Sequence, residues 1–460
     1  MLNGPVVGEP EVNREQGLKH QLSAGQMAML AVGGSIGTGL LLGSAAAMEM
    51  AGPAVILSYA LAAFITWTVA LALGELSGAH PAAGSFGLYG DLYLNEWAGF
   101  IARAGYWAAI AVSIGAELVA SATYMGYWFP SVPALVWVAA FSVLLLLINL
   151  VSVGSFGQFE YWFAMIKVIT ISAFIVIGAG LLFSGKVPAQ YTAHGGFLPM
   201  GTLAPLFAIG LAIYTFGGVE MVAVTTGESR SMAEIPRAVR LTFAMLATLY
   251  LGAIVVLCGV MPWNRAGVTE SPFVTIFRQV NVPYAGHVMN FVVLTAALSG
   301  SNAALYVASR MLFSLSRMGW APVAFGRLNS AGSPTRALIA SSYGIVVALI
   351  LETWAPKTAF VSILGAVLVG LLLSWLVSLA AHMRFRKQLS PEKIAALPMR
   401  SPLGASGSAF GFFLIIAAIF ETGWMSHITI VSGGAFIAIL TILYFVMKKY
   451  RAVELQKYNE

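Results

Sequence analysis

Charge is what this chain lacks. Only 9% of its 460 residues are Asp, Glu, Lys or Arg, where soluble domains average about 25%, so a water-facing surface cannot be covered. Cysteine is as scarce. Cys258 stands alone, which excludes a disulfide framework and a thiolate metal cluster. The six histidines (His20, His80, His194, His287, His382 and His427) lack the i, i+4 pairing of a zinc site, and read as loop or interfacial side chains. No cleavable signal peptide opens the chain, and residues 1–22 read as a short polar tail. Neither a metal nor a cofactor is expected.

What is present is apolar length. Hydrophobic residues make up 59% of the chain, and a spanning helix needs about 20 mostly apolar residues in a row. Runs bounded by charges, Gly and Pro predict twelve spans, at 25–48, 53–76, 98–128, 134–153, 158–184, 202–227, 238–261, 284–315, 336–353, 357–382, 406–424 and 427–447. The expected fold class is an all-α polytopic membrane protein. The positive-inside rule tests the count. With a cytoplasmic amino terminus, nineteen of the 24 Lys and Arg fall in cytoplasmic segments. Four (Lys186, Arg265, Arg278 and Lys357) fall outside, and Lys167 lies within a span. Both termini are then cytoplasmic. The net charge of +6 follows from topology and needs no nucleic-acid partner.

Two spans carry their weakest helix formers at the centre. "AVGGSIGTGLLLGSAAA", residues 31–47, crowds Gly33, Gly34, Gly37, Gly39 and Gly43 into eleven positions, each costing a helix interior about 1 kcal/mol relative to Ala. The sixth span, "LFAIGLAIYTFGGVEMVAVTTGE", has Gly217 and Gly218 at mid-span and Glu220 just beyond. Backbone released from helical bonding cannot face lipid and survives where it lines a cavity. Interrupted spans at corresponding positions of two halves point to a binding site between inverted repeats, here spans 1–5 and 6–10. Open amides bind a carboxylate, and open carbonyls bind an ammonium. Two facing breaks therefore fit a zwitterion, the outline of an amino acid. The pairs Gly33–Gly37 and Gly39–Gly43 also fit close helix packing, and Gly43 reads as a packing glycine. "GGSIGTG" lacks the spacing of a nucleotide loop and has no strand before it.

Ionisable groups inside a bilayer are costly and usually functional. Lys167 stands nine residues beyond Gln158, about 14 Å along a helix and so near the middle of a roughly 30 Å core. Burial there disfavours the charged form, so the amine can gain and lose a proton and serve as the proton carrier of a symporter. Glu117, central in span 3, and Glu220, beside the second break, could each pair with Lys167, hold a substrate amine or titrate. Glu75, Glu160 and Glu228 fall near the cytoplasmic ends of spans 2, 5 and 6 and read as interfacial or gate residues. Glu421 reads as interfacial. Trp97, Trp128, Trp263, Trp320 and Trp354 sit near span ends and read as interface anchors. Phe216, adjacent to a break, is a candidate gate over a bound substrate.

Five stretches in order resemble a known family: "GGSIGTGLLLGSA", "GELSGAHPAAGSF", "FGQFEYWFAMIKV", "FGGVEMVAVTTGES…IPRAV" and "NAALYVASRMLFSLSRMGWAP". They are similar to the amino acid transporter family of the amino acid–polyamine–organocation superfamily, nearest its bacterial permeases of the lysine, aromatic amino acid and 4-aminobutyrate type. The match runs over about residues 20–450. The resemblance implies a 5+5 inverted-repeat fold of the leucine-transporter type, with helices 1 and 6 broken, working by alternating access. It divides the chain into a cytoplasmic tail (1–22), a transport core of spans 1–10 (23–383), spans 11 and 12 (384–447) and a second cytoplasmic tail (448–460). It also implies that Lys167 occupies the space where sodium binds in sodium-coupled relatives. Gly34 to Gly39 would hold the substrate carboxylate, and Phe216 to Glu220 would meet the amine end. Glu117 matches an acid carried by members with different substrates, so it does not name the substrate. The linker "ESRSMAEIPRA" departs from relatives that place a proline soon after the first glutamate. Short tails are in the bacterial manner, since fungal relatives carry long ones.

The expectation is a proton-coupled amino acid permease of the bacterial plasma (inner) membrane, for which a monomer suffices and the proton is the coupling ion. Amides of Ser35, Ile36, Gly37, Thr38 and Gly39 would bind the carboxylate. Carbonyls of Phe216, Gly217 and Gly218, with Glu220, would meet the amine. Lys167 would carry the proton, with Glu117 and Asn302 as further pocket candidates. An antiporter of the same fold is the alternative, and a transporter-like nutrient sensor, which would carry a signalling domain or long tail, is more distant. An enzyme would need a catalytic constellation within the spans, and a channel a selectivity filter.

Overall fold

A capping box opens the first helix. The Ser23 hydroxyl accepts from the Gln26 amide, and the Gln26 side chain accepts from the Ser23 amide at 3.0 Å, which satisfies two donors that a helix start leaves open. From there the computed structural model is built of helices, and it describes residues 20–41, 43–151, 156–265, 273–274, 284–330, 332–354, 359–425 and 427–456. The first expected span is three pieces: α1 (Ala24–Ser35), α2 (Thr38–Leu41) and α3 (Gly43–Ala51). Unbroken helices follow as α4 (Val55–Ala79), a short α5 (Ser85–Tyr93), α6 (Glu96–Gly126), α7 (Ala134–Val151) and α8 (Phe156–Phe183). The sixth expected span is again in pieces: α9 (Ala204–Phe207), α10 (Ile209–Thr215) and α11 (Met221–Thr225).

The remainder comprises α12 (Glu234–Val260), α13 (Ala285–Arg317), α14 (Thr335–Ser341), α15 (Tyr343–Trp354), α16 (Ala359–Gln388), α17 (Pro391–Ala395), α18 (Gly404–Met425) and α19 (His427–Gln456). Among the described residues seven helical stretches are long and apolar enough to cross a bilayer. No strand occurs among those residues, and the one isolated bridge joins Leu22 to Ser229. The ninth expected span, 336–353, is interrupted at Ser342 between α14 and α15. Most of the expected tail 1–22 lies outside the described residues.

α6 forms the middle of the bundle and packs most extensively on α13 and α16. Small residues permit this. A Cβ on Gly370 of α16 would come within 2.5 Å of the Gly105 carbonyl oxygen, an approach that only glycine allows. By contrast α8 turns Trp162, Ile169, Val176 and Phe183 outward, and α19 does the same with Val431, Ile442 and Phe445. Apolar surface of that extent has no place in water and marks lipid-facing sides. Trp97 and Trp354 are exposed, as anchors would be. Trp320 corrects that expectation: it is buried, with Phe100 and Tyr444 against its ring and the Arg451 guanidinium 4.4 Å above it.

Candidate functional site: a cavity between two helix breaks

The first break is a two-residue turn. The Ile36 amide still donates to the Val32 carbonyl at 2.9 Å, and the Gly37 amide turns back to the Ser35 carbonyl at 3.0 Å. Ser35, Ile36 and Gly37 therefore spend their amides on α1 and the turn. Thr38 and Gly39 are the first residues of α2, where amides have no acceptor within the helix. What keeps Gly37 a glycine is Glu117: the carboxylate, coming from α6, occupies the place a Gly37 Cβ would take. On its other side Gly300 of α13 lies as close, since a Cβ there would sit 3.2 Å from the Glu117 carboxyl carbon. Glycines on two helices thus leave a slot for one buried acid.

The second break follows Thr215. The Gly217 amide donates to the Tyr214 carbonyl and the Met221 amide to the Gly218 carbonyl, both at 2.9 Å. Gly218 has φ +106°, a conformation that L side chains rarely adopt, and an added Cβ would strike Ser35 of the first break. The two breaks are therefore in contact. Thr215 strengthens the join by donating to the Gly39 carbonyl at 3.2 Å. Glu220 holds the turn: its carboxylate accepts from Tyr106 at 2.6 Å, from the Trp375 indole at 3.0 Å, and twice from the Gly218 amide at 3.0 and 3.1 Å.

Between the breaks lies a cavity of about 50 Å³, room for a few water molecules. Ser35, Gly37 and Gly39 form one side, and Gly217, Gly218 and Glu220 the other. Glu117 and Ser113 reach it from α6, and Ala109, Ile110, Val367 and Leu371 close it with an apolar wall.

Several expected site residues lie elsewhere. Phe216 does not line the cavity, because its fully buried ring packs between Tyr59 and Tyr250, with centroids at 6.4 and 5.0 Å. Ile36 turns into the hydrophobic core. The Thr38 side chain lies outside the described residues. Asn302 faces Glu160, donating at 3.5 Å, and is not part of the cavity lining. Lys167 lies behind the first break, where its Nζ donates to the Gly33 carbonyl at 2.5 Å. Glu160, expected at an interface, is 1% exposed. It accepts from Ser299 at 2.5 Å, a Gly33 Cβ would stand 2.5 Å from its Oε1, and Lys167 is its electrostatic neighbour. The spacing of seven residues, two turns of one helix, was a signal for this pairing. For Tyr106 and Trp375, which hold Glu220 from distant helices, no local signal existed.

A polar layer closes the bundle at the ends expected to face the cytoplasm. Glu75 of α4 meets His382 at 2.9 Å and Arg386 at 2.7 Å, both on α16. Asp91 meets Arg103 at 2.5 Å, and Arg103 also donates to Ser314. Glu228 accepts from Tyr306 at 2.6 Å and Arg310 at 3.1 Å. Its carbonyl takes the Gln21 and Leu22 amides, each at 2.9 Å. His80 and His382 correct the expectation of loop or interfacial histidines, for both are buried, His80 against the Tyr93 hydroxyl at 2.6 Å.

These features define a multi-pass membrane protein whose interrupted helices enclose a small cavity, entered by two acids, at the centre of the bundle. The profile of the Amino acid permease family matches residues 26–455. A gamma-aminobutyric acid permease of Bacillus subtilis is 33% identical over 455 residues, covering 96% of each chain. The aromatic amino acid transport protein AroP of Escherichia coli is 38% identical over 393 residues, 84% of each. An uncharacterized amino acid permease of Bacillus subtilis, YtnA, is 32% identical over 444 residues, 94% of this chain and 96% of its own length. The chain belongs to the amino acid permease family, and its activity is transport, not enzymatic catalysis.

Proposed function

We propose that this protein is a proton-coupled importer of amino acids in a bacterial inner membrane, with twelve spans, both termini cytoplasmic and spans 1–5 and 6–10 as inverted repeats. The carrying observation is the contact of two helix breaks across a cavity that Glu117 enters from α6, with Lys167 fixed to the backbone just behind the first break. Amides at the start of α2 take the substrate carboxylate. The amine lies toward the Gly217–Gly218 turn and Glu117. Glu220 supports that turn through Tyr106, Trp375 and the Gly218 amide. The Lys167 ammonium donates to the Gly33 carbonyl, and loss of its proton weakens the tie that holds α1 beside α8. Substrate at the break and the proton at Lys167 thereby act on the same half-helix.

Purified protein in proteoliposomes tests this. Uphill uptake of a neutral amino acid, driven by an imposed pH gradient with no amino acid inside, is the expected result. Uptake that depends on internal amino acid, and ignores the gradient, would assign exchange instead.

A further inference from the structure

Of the three ties in the polar layer, Asp91–Arg103 and Glu228–Arg310 each pair an acid with an arginine, which stays charged at every physiological pH. The third contains an imidazole, the side chain that changes charge near neutral pH. His382 of α16 is fully buried, with Nε2 2.9 Å from Glu75 Oε2 on α4 and Nδ1 2.7 Å from the Ser408 hydroxyl on α18. Arg386 grips the same carboxylate, with Nε 2.7 Å from Oε1 and Nη2 2.9 Å from Oε2. The Ser401 amide donates to Oε2 at 3.1 Å. Around the Phe385 ring lie His80 and Tyr93, bonded to each other at 2.6 Å. Among the described residues, Glu75, Arg386, His80 and Tyr93 are thus the titratable and charged groups around the imidazole.

A carboxylate held by arginine only accepts, so Nε2 carries a proton in either charge state. Nδ1 is the atom that can change. A hydroxyl both donates and accepts, so Ser408 gives its proton to the neutral ring or takes one from the charged ring by turning about its own bond. The site admits both charge states without moving a helix. The charged ring sets a second cation against the Glu75 carboxylate, which strengthens the tie between α4 and α16.

We propose that His382 is a proton-binding regulatory site, through which acid in the cytoplasm holds the inner side of the bundle closed. The inference goes beyond the transport reading and rests on the cytoplasmic placement of this layer. The sign follows from linkage: a proton that favours the closed form moves the population toward closed as pH falls. Proton-coupled import acidifies the cytoplasm, so the site restrains the import that delivers the protons.

The test reads opening and needs no known substrate. In Cys258→Ser protein, Ser35→Cys sets a thiol on the cavity lining, and a membrane-impermeant maleimide reaches it from the cytoplasmic side of inside-out vesicles. Labelling is compared with and without His382→Gln from about pH 6 to about pH 8. The chemistry of the thiol cancels in the ratio of variant to parent. Glutamine donates to Glu75 as the neutral ring does and takes up no proton. The ratio should be near one at the alkaline end and rise about tenfold at the acid end. Ser408→Ala keeps the ring and removes the acceptor of its charged form, so its ratio should rise roughly threefold or more toward acid. A ratio flat across pH for His382→Gln, or for Ser408→Ala where the first variant does not fold, would overturn the inference, because a structural tie is equally strong throughout. A rise seen only in right-side-out vesicles would overturn the cytoplasmic placement and the inference with it. Uptake in proteoliposomes is read separately, and its failure would remove the transport reading while this pH profile stands.

Discussion

Lys167 and Glu160 show what a single buried charge can do in this bundle. Seven residues apart on α8, they share one helix face and converge on Gly33, the lysine on its carbonyl and the glutamate against its Cα. Neither is exposed to water. Each therefore reports to α1, the half-helix that leads into the first break. Lys167→Ala is expected to abolish gradient-driven accumulation while leaving exchange of internal for external substrate measurable, because the cavity itself is untouched. Glu160→Gln removes the negative neighbour of the ammonium and keeps one acceptor oxygen for Ser299, while its amide replaces the oxygen that accepts from Asn302 at 3.5 Å. Accumulation should fall by roughly tenfold or more, with exchange less affected, and the ratio of the two rates in the same vesicles is the readout. Full accumulation in either variant would take that residue out of the coupling.

At the scale of the element, the two breaks depend on glycines that no other residue can replace. Gly218→Ala places a side chain in the left-handed region, at a cost of about 1–2 kcal/mol, and drives its Cβ into Ser35. Gly37→Ala meets the Glu117 carboxylate instead. Both variants should reach the membrane and lose most uptake, and thermal unfolding in detergent should show a smaller loss for Gly37→Ala, which has no strained φ to bear. The breaks were legible from sequence because clustered glycines weaken any helix that has only to span a bilayer. So was the third long helix, expected at 98–128 and found at Glu96–Gly126. Side-chain direction was not legible. Periodicity in a span that is apolar all round does not say which face meets protein, so Phe216 was expected as a gate over a cavity that it does not line, while Ile36, expected to act through its amide, gives that amide to the Val32 carbonyl. Glu220 was expected to meet substrate, yet its donors come from Tyr106 and Trp375, 114 and 155 residues distant. His382 and Arg386, four residues apart, did carry a readable sign of a shared face toward one acid.

For the whole molecule, alternating access requires that the polar layer at the proposed cytoplasmic end come apart. Glu75–His382–Arg386, Asp91–Arg103–Ser314 and Glu228–Arg310–Tyr306 tie α4 to α16, α5 to α6 and α13, and the turn that follows α11 to α13. All three are buried or nearly so. Removing one partner of a buried pair costs about 3–5 kcal/mol, but that cost falls on the closed form alone if the pair is already parted in the open one. A difference of about 1.4 kcal/mol changes a population ratio tenfold, so losing one tie should shift the equilibrium strongly toward the cytoplasm-open form. Glu228→Gln makes the test, because Gln keeps an acceptor for Tyr306 while ending the charge pairing with Arg310. In a Cys258→Ser background, Ser35→Cys places a thiol on the cavity lining. A membrane-impermeant maleimide added to inside-out vesicles should label that thiol at least about tenfold faster when Glu228→Gln is present. Right-side-out vesicles should show the opposite change. Equal labelling from the cytoplasmic side with and without Glu228→Gln would mean that this tie does not gate the cavity, and the Glu75 and Asp91 clusters would then have to hold it closed alone.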